Sequence, residues 1–370
     1  TERAAQELKF RIRSKIRDLI GHQPDIGDLY VGTIHSFCYE LLKEFVPGYR
    51  VFEVLDEGKR FAFINAHRSD LGYTKLKEWL DSENGHKPFG VMPLTWVLNT
   101  FIRGVDITRE EMMTPEKISQ CSDFVSAFQK YEEKLQEHRF LDFSSMMAIA
   151  VRNLESDKQL LSDVRKRFTH ITVDEYQDIN PIQERLIRLL TGPATNLCVV
   201  GDDDQAIYQW RGSTVDNILT FPKRYKNVFI HHLPINFRST NQIIYSSSDL
   251  IQKNKKRLSK KMGDSGKTGE KGDLYKIDFP AQADEIKFII EKIQHLHGVQ
   301  WEENNRHKRG LAYSDMAIFL RSVKYDGQPY LDAMDEAGIP YAVSGVGGLF
   351  EAEEVDVIFR IFAYLGGFKK

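Results

Sequence analysis

Apolar residues in this chain follow two rhythms. Ile171, Thr172 and Val173, and later Leu197, Cys198, Val199 and Val200, are short unbroken runs rich in β-branched residues. That is the pattern of strands buried on both faces in a parallel sheet. Each run stops at carboxylates, Asp174–Glu175 in the first case and Asp202–Asp203–Asp204 in the second. Between them the spacing changes to helical. Asn180 can cap, Pro181 suits the first helical position, and Gln183 can reach back to the cap. Ile182, Leu186, Leu189 and Leu190 form one stripe, and Gly192–Pro193 ends it. Strand, acids, helix, strand, acids is a βαβ unit, and ligands of such sheets sit at the carboxyl ends of the strands.

The rest of the chain divides in the same way. Leu8, Ile12, Ile16, Leu19 and Ile20 share one side of an opening amphipathic helix. Residues 41–136 are helical and weakly patterned. Helices are also expected over 283–295 and over 331–337, the latter stopped by Gly338. Residues 29–31, 228–230, 274–277 and 315–321 read as further strands, and a Gly-rich stretch at 345–350 leads into a final helix.

Composition narrows the class. The 370 residues are 41% hydrophobic and 28% charged, which suits two or three globular domains. No apolar run approaches the roughly 18 residues of a membrane span. Cys38, Cys121 and Cys198 are far apart, as expected of reduced thiols in a cytoplasmic protein. A net charge of −2 leaves nucleic-acid binding open, because only a local basic surface is needed.

The two acid clusters sit in longer motifs. Val173-Asp174-Glu175-Tyr176-Gln177-Asp178 resembles the Walker B motif of UvrD/Rep/PcrA-type superfamily 1 DNA helicases. Residues 201–212, from Gly201-Asp202-Asp203-Asp204-Gln205 to Tyr208-Gln209-Trp210-Arg211-Gly212, resemble motif III of that family. Thr1 to Ala5 resembles motif Ia, and Gly32-Thr33-Ile34-His35 resembles motif Ib. Residues 140–143 resemble the segment returning from the family's helical insertion, with Ser144–Ser145 in place of its later acids. Asn236-Phe237-Arg238-Ser239 resembles motif IV, with Ser239 or Thr240 available to cap the next helix.

The resemblance implies an α/β fold of RecA-like parallel sheets flanked by helices, incomplete at both ends, with an inserted helical subdomain. The implied divisions are 1–40 and 140–233 for the first RecA-like domain, 41–139 for the insertion and 234–370 for the first part of the second domain. It also implies ATP and Mg²⁺, with single-stranded DNA and duplex junctions as partners. Asp174 would hold Mg²⁺ through water, and Glu175 would orient or deprotonate the attacking water. Gln205 would sense the γ-phosphate, Arg238 would act as an arginine finger, and Phe237 would stack near the adenine. Thr33, His35, Tyr208, Trp210 and Arg211 would face DNA. Trp210 alone would read as core and His35 alone as a hydrogen-bonded structural histidine. The polar turn around Trp210 favours base stacking there.

The family's phosphate-binding loop precedes motif Ia, so these 370 residues taken alone are expected to lack ATPase activity. Gly263-Asp264-Ser265-Gly266-Lys267-Thr268 mimics the end of such a loop. Charged residues precede it, and Gly269 and Gly272 would break the helix a working loop needs, so it reads as a decoy. The basic run at 253–261 reads as a solvated face. Two rival functions are a nonenzymatic DNA-binding or interaction remnant and a metal-dependent nuclease using both acid clusters. In a nuclease Gln205 and Trp210 would have no role.

Overall fold

The computed structural model describes residues 2–22, 29–83, 94–118, 121–207, 212–260, 262–263, 274–302, 308–343, 357–358 and 361. The chain forms two compact units, Thr1–Thr268 and Gly269–Lys370. The first contains α1 (Glu2–Ile20), α2 (Ile34–Phe45), β1 (Glu53–Val54), α3 (Glu57–Ala66), α4 (Tyr73–Glu83), α5 (Leu94–Glu110) and α6 (Pro115–Ile118). It continues through α7 (Ser122–His138), β2 (Phe140–Leu141), α8 (Phe143–Ser156), α9 (Lys158–Lys166), β3 (His170–Val173) and α10 (Pro181–Leu190). Its last elements are β4 (Asn196–Val199), α11 (Asp216–Leu219), α12 (Phe221–Arg224) and α13 (Asn241–Ile251).

The βαβ unit forms as the sequence dictates. β3 and β4 pair in parallel, with Ile171 opposite Leu197 and Val173 opposite Val199. The Asn180 side chain caps α10 by accepting from the Gln183 amide, the Gln183 side chain accepts from the Asn180 amide, and Pro181 opens the helix. Ile182, Leu186, Leu189 and Leu190 are all buried. The strands themselves depart from expectation. Ile171, Val173, Leu197 and Val199 turn inward, whereas His170, Thr172, Asn196 and Cys198 are exposed. These strands are covered on one face rather than two, because the described helices pack on one side only.

Among the described residues three hydrophobic clusters fill the first unit, the smallest being Tyr176, Ile179 and Ile187 packed against Val173, Leu197 and Val199. In the largest, Leu41 and Leu42 of α2 pack with Met146, Met147 and Ala150 of α8 and with Leu186 and Leu190 of α10. Ile64 of α3, Leu76 of α4, Leu98, Phe101 and Val105 of α5, and Phe124 and Tyr131 of α7 form the second. The chain leaves and re-enters this helical lobe side by side, since Glu53–Val54 pairs in parallel with Phe140–Leu141. Helix α2 crosses position 41 and ends at Phe45, so its apolar face belongs to the core of the α/β layer.

A buried ion network underlies that neck. The Asp142 carboxylate is fully buried and accepts from Arg109 at 2.8 and 2.9 Å and from the Tyr131 hydroxyl at 2.7 Å, with Arg60 3.3 Å away. Ser145 completes the cap of α8, and the Ser144 hydroxyl donates to Asp106 at 2.7 Å. The two serines that replace the family's acids are therefore structural.

In the second unit α14 (Gln282–Leu296), an antiparallel hairpin of β5 (Gln300–Glu302) and β6 (Lys308–Gly310), α15 (Val323–Asp326) and α16 (Gln328–Glu336) follow one another. Ile286, Ile289, Ile290 and Ile293 of α14 pack against Tyr330 and Met334 of α16, and Gly338 with φ +65° closes α16. Four expected strands, at 29–31, 228–230, 274–277 and 315–321, form no ladder among the described residues. At 316–320 the side chains still alternate, Ile318 and Leu320 packing on the core and Phe319 exposed, but among the described residues no strand pairs with them. Residues 345–350 and most of the expected final helix lie outside the described residues, as do residues 264–268 of the decoy and the glycines at 269 and 272.

Candidate nucleotide site

The site gathers where β3 and β4 end. Asp174 and Glu175 are exposed, and the Glu175 amide donates to the Asp174 Oδ1 at 3.0 Å. Glu175 has φ 51° and ψ 44°, a left-handed conformation that costs a non-glycine residue on the order of 1 kcal/mol. The backbone reverses there, so that Tyr176 and Gln177 turn inward while Glu175 stays outward.

Gln177 joins the two motifs. Its side chain is 1% exposed. The carboxamide nitrogen donates to Glu175 Oε2 at 2.6 Å, and its oxygen accepts from the Asp202 amide at 3.0 Å. Asp202 in turn accepts from the Gln205 side chain at 2.8 Å. Glu175 and Gln205, which sequence places a strand apart, thus belong to one hydrogen-bonded chain. Gly201 permits it: a Cβ there would lie 2.7 Å from the Gln177 oxygen and 2.9 Å from Ile218 Cδ1.

The carboxylates after β4 are held from outside the motif. Arg257 donates to both oxygens of Asp204, at 2.9 and 2.7 Å, and the Leu258 amide donates to Asp203 at 2.7 Å. Lys260 donates to Asp202 and Asp203 and lies 3.3 Å from Asp204. Burial pushes Asp202 and Asp204 upward, but these cations outweigh it and hold both below the usual carboxylate range. The basic run is therefore not simply solvated: Arg257 and Lys260 are committed to acids. Since the second acid cluster is neutralised by side chains, it does not have the free converging carboxylates a two-metal nuclease needs.

Asp174 is an exposed carboxylate at a strand end, with one oxygen engaged by its neighbour's amide. Such a donor set fits Mg²⁺ held largely by water and substrate phosphates rather than by a protein cage. Among the described residues no three His, Cys, Asp or Glu groups converge as a metal site.

Other expected site residues are dispersed. Thr33 caps α2 and exchanges hydrogen bonds with Ser36, so its hydroxyl is engaged locally. His35 sits in the first turn of α2, edge-on to Phe143 at 5.5 Å, and burial lowers its pKa. Phe237 is 72% exposed, and Arg238 lies beside it on the segment before α13. Thr240 occupies the N-cap position of α13 without a side-chain cap hydrogen bond, and the turn before it is held by Asn236, whose Oδ1 accepts from the Arg238 and Ser239 amides. Tyr208, Trp210 and Arg211 lie outside the described residues. Sequence reasoning missed Gln177, Gly201, Arg257 and Lys260. Gln177 and Gly201 were inside the quoted motifs, whereas no local pattern links the acids at 202–204 to the bases at 257–260.

A parallel βαβ unit with linked polar groups at its strand ends is consistent with a RecA-like fold. Residues 1–226 match the model of the UvrD/REP helicase N-terminal domain, and residues 231–368 match that of the UvrD-like helicase C-terminal domain. The chain belongs to the UvrD/Rep helicase family. It is 28% identical to DNA helicase II of Haemophilus influenzae over 96% of its length and 29% identical to ATP-dependent DNA helicase PcrA of Bacillus subtilis over 99%. It spans 45% of each of these relatives.

Proposed function

We propose that this chain is part of an ATP-driven motor that moves 3′ to 5′ along single-stranded DNA and unwinds duplex junctions. The observation that carries the reading is the hydrogen-bonded chain Glu175–Gln177–Asp202–Gln205, which ties a water-activating acid to a phosphate-sensing amide. Phosphoryl transfer needs positioning and charge stabilisation more than a covalent nucleophile.

When bound, Mg²⁺ supplies charge neutralisation to the phosphates, and Asp174 would hold it through water. Glu175 orients the attacking water and accepts its proton. Gln177 fixes the rotamer of Glu175, and Gln205 reports occupancy of the phosphate position to the following turn. Arg238 contributes charge and Phe237 stacks near the base; both roles rest on the resemblance. Thr33, His35, Tyr208, Trp210 and Arg211 form the DNA side. Because the chain spans less than half of its relatives, the 370 residues alone are proposed to be an incomplete motor without appreciable turnover.

The test is strand displacement by the full-length protein on duplexes carrying a 3′ or a 5′ single-stranded tail. ATP-dependent displacement only with the 3′ tail is expected. Tight DNA binding without ATP-dependent displacement would instead favour the nonenzymatic remnant.

A further inference from the structure

Five carboxylates crowd the ends of β3 and β4: Asp174, Glu175, Asp202, Asp203 and Asp204. The substrate proposed for this site is itself a polyanion. Three of those acids are met by Arg257 and Lys260, which arrive from a segment more than 50 residues later in the chain. The contact is directional as well as electrostatic. Arg257 grips Asp204 with two parallel hydrogen bonds, and the Leu258 amide adds a third attachment at Asp203. Asp203 is buried and the Arg257 and Asp204 side chains are 17% and 14% exposed, so both partners of the bidentate pair are largely covered. The latch also bridges the two family regions, since Asp202–Asp204 lie within residues 1–226 and Arg257–Lys260 within residues 231–368.

We propose that Arg257 and Lys260 are positioning residues of the nucleotide site, neutralising the Asp202–Asp204 turn so that it admits an anionic phosphate chain and keeps Gln205 aimed. Lys260 acts on the same Asp202 whose amide is bound by Gln177 and whose carboxylate holds Gln205. Removing the cations leaves acids facing the phosphates and loosens the turn. The inference rests on the nucleotide-hydrolysis reading given above.

The experiment compares full-length wild type with Arg257→Ala and with the double variant Arg257→Ala/Asp204→Asn. It reads KM for ATP and kcat in DNA-stimulated hydrolysis at low and high salt. One uncompensated charge several ångströms from a phosphate should raise KM about fivefold at low salt. Salt should shrink the effect. Asp204→Asn should restore KM although it cannot restore the ion pair, which a purely structural role would not allow. An unchanged KM, or a raised KM that Asp204→Asn fails to rescue, would overturn the proposal. Amide hydrogen exchange over residues 201–206 is read on the same proteins. Faster exchange in Arg257→Ala is expected, and unaltered exchange overturns the latch. A wild-type enzyme without turnover would sink the hydrolysis reading, while exchange would still decide the latch.

Discussion

Gln177 holds Glu175 at 2.6 Å from within the protein interior, so the acid proposed to activate water is exposed while its hydrogen-bond partner is buried. The same carboxamide accepts from the Asp202 backbone, which makes one side chain the hinge pin between two strand ends.

Gln177→Ala is therefore expected to lower kcat of the full-length enzyme by about 10- to 100-fold while KM for ATP changes less, because a base held in the wrong geometry loses orientation more than binding. The Asp202 amide loses its partner as well, at about 1–3 kcal/mol of stability. Steady-state kinetics together with chemical denaturation would separate the two effects.

Gly201→Ala tests the close approach on which this pin depends. The added methyl would meet the Gln177 oxygen, Ile218 Cδ1 and, at 3.2 Å, the Tyr176 backbone nitrogen, which cannot rotate away. Overpacking of this kind costs roughly 1–3 kcal/mol. A lowered melting temperature accompanied by reduced turnover is expected in calorimetry and ATPase assays.

At the neck of the helical lobe, Asp142→Ala should be far more damaging. It leaves Arg60 and Arg109, both buried, without their shared carboxylate. Breaking a buried pair from one side costs about 3–5 kcal/mol. Burial opposes ionisation of Asp142, but Arg109 and Arg60 outweigh it and hold its pKa well below the usual range. Its contribution is thus present above the unfolded pKa of about 4 and fades as pH falls through the lower folded value. Urea melts of wild type and variant should converge only in strong acid.

Glu110 gives the opposite dependence. Burial and then the neighbouring Asp106 push its pKa up to about 7. The folded state therefore holds a proton that the unfolded chain has lost. Stability from this group is complete below about pH 4.5 and declines as pH rises through 7. Glu110→Gln should stabilise the protein at pH 8 by about 1–2 kcal/mol, allowing for solvent screening of a partly exposed group, and have little effect at pH 5. Denaturant midpoints at the two pH values would check it.

What the sequence made legible was local and periodic. The capping box of Asn180 and Gln183, the stripe of α10 and the parallel pairing on either side of it follow from residue order alone. The expected strands at 228–230 and 274–277 did not, because a strand exists only when a partner satisfies its backbone, and apolar runs do not name partners. The site shows the same division. Asp174 and Glu175 stand out by their position at a strand end, and Gln205 by the resemblance of its motif. Gln177, by contrast, reads as one more polar residue until the turn at Glu175 sends it inward. The pairing of Arg257 and Lys260 with acids more than 50 residues earlier was beyond periodicity altogether.

The most direct test is DNA-stimulated ATP hydrolysis by the full-length protein, wild type against Glu175→Gln. Wild type should turn over on the order of 1–100 s⁻¹ with single-stranded DNA present. Glu175→Gln should lose roughly 10²- to 10⁴-fold while still binding nucleotide, since only the proton acceptor is removed. Turnover that survives Glu175→Gln undiminished would contradict the account.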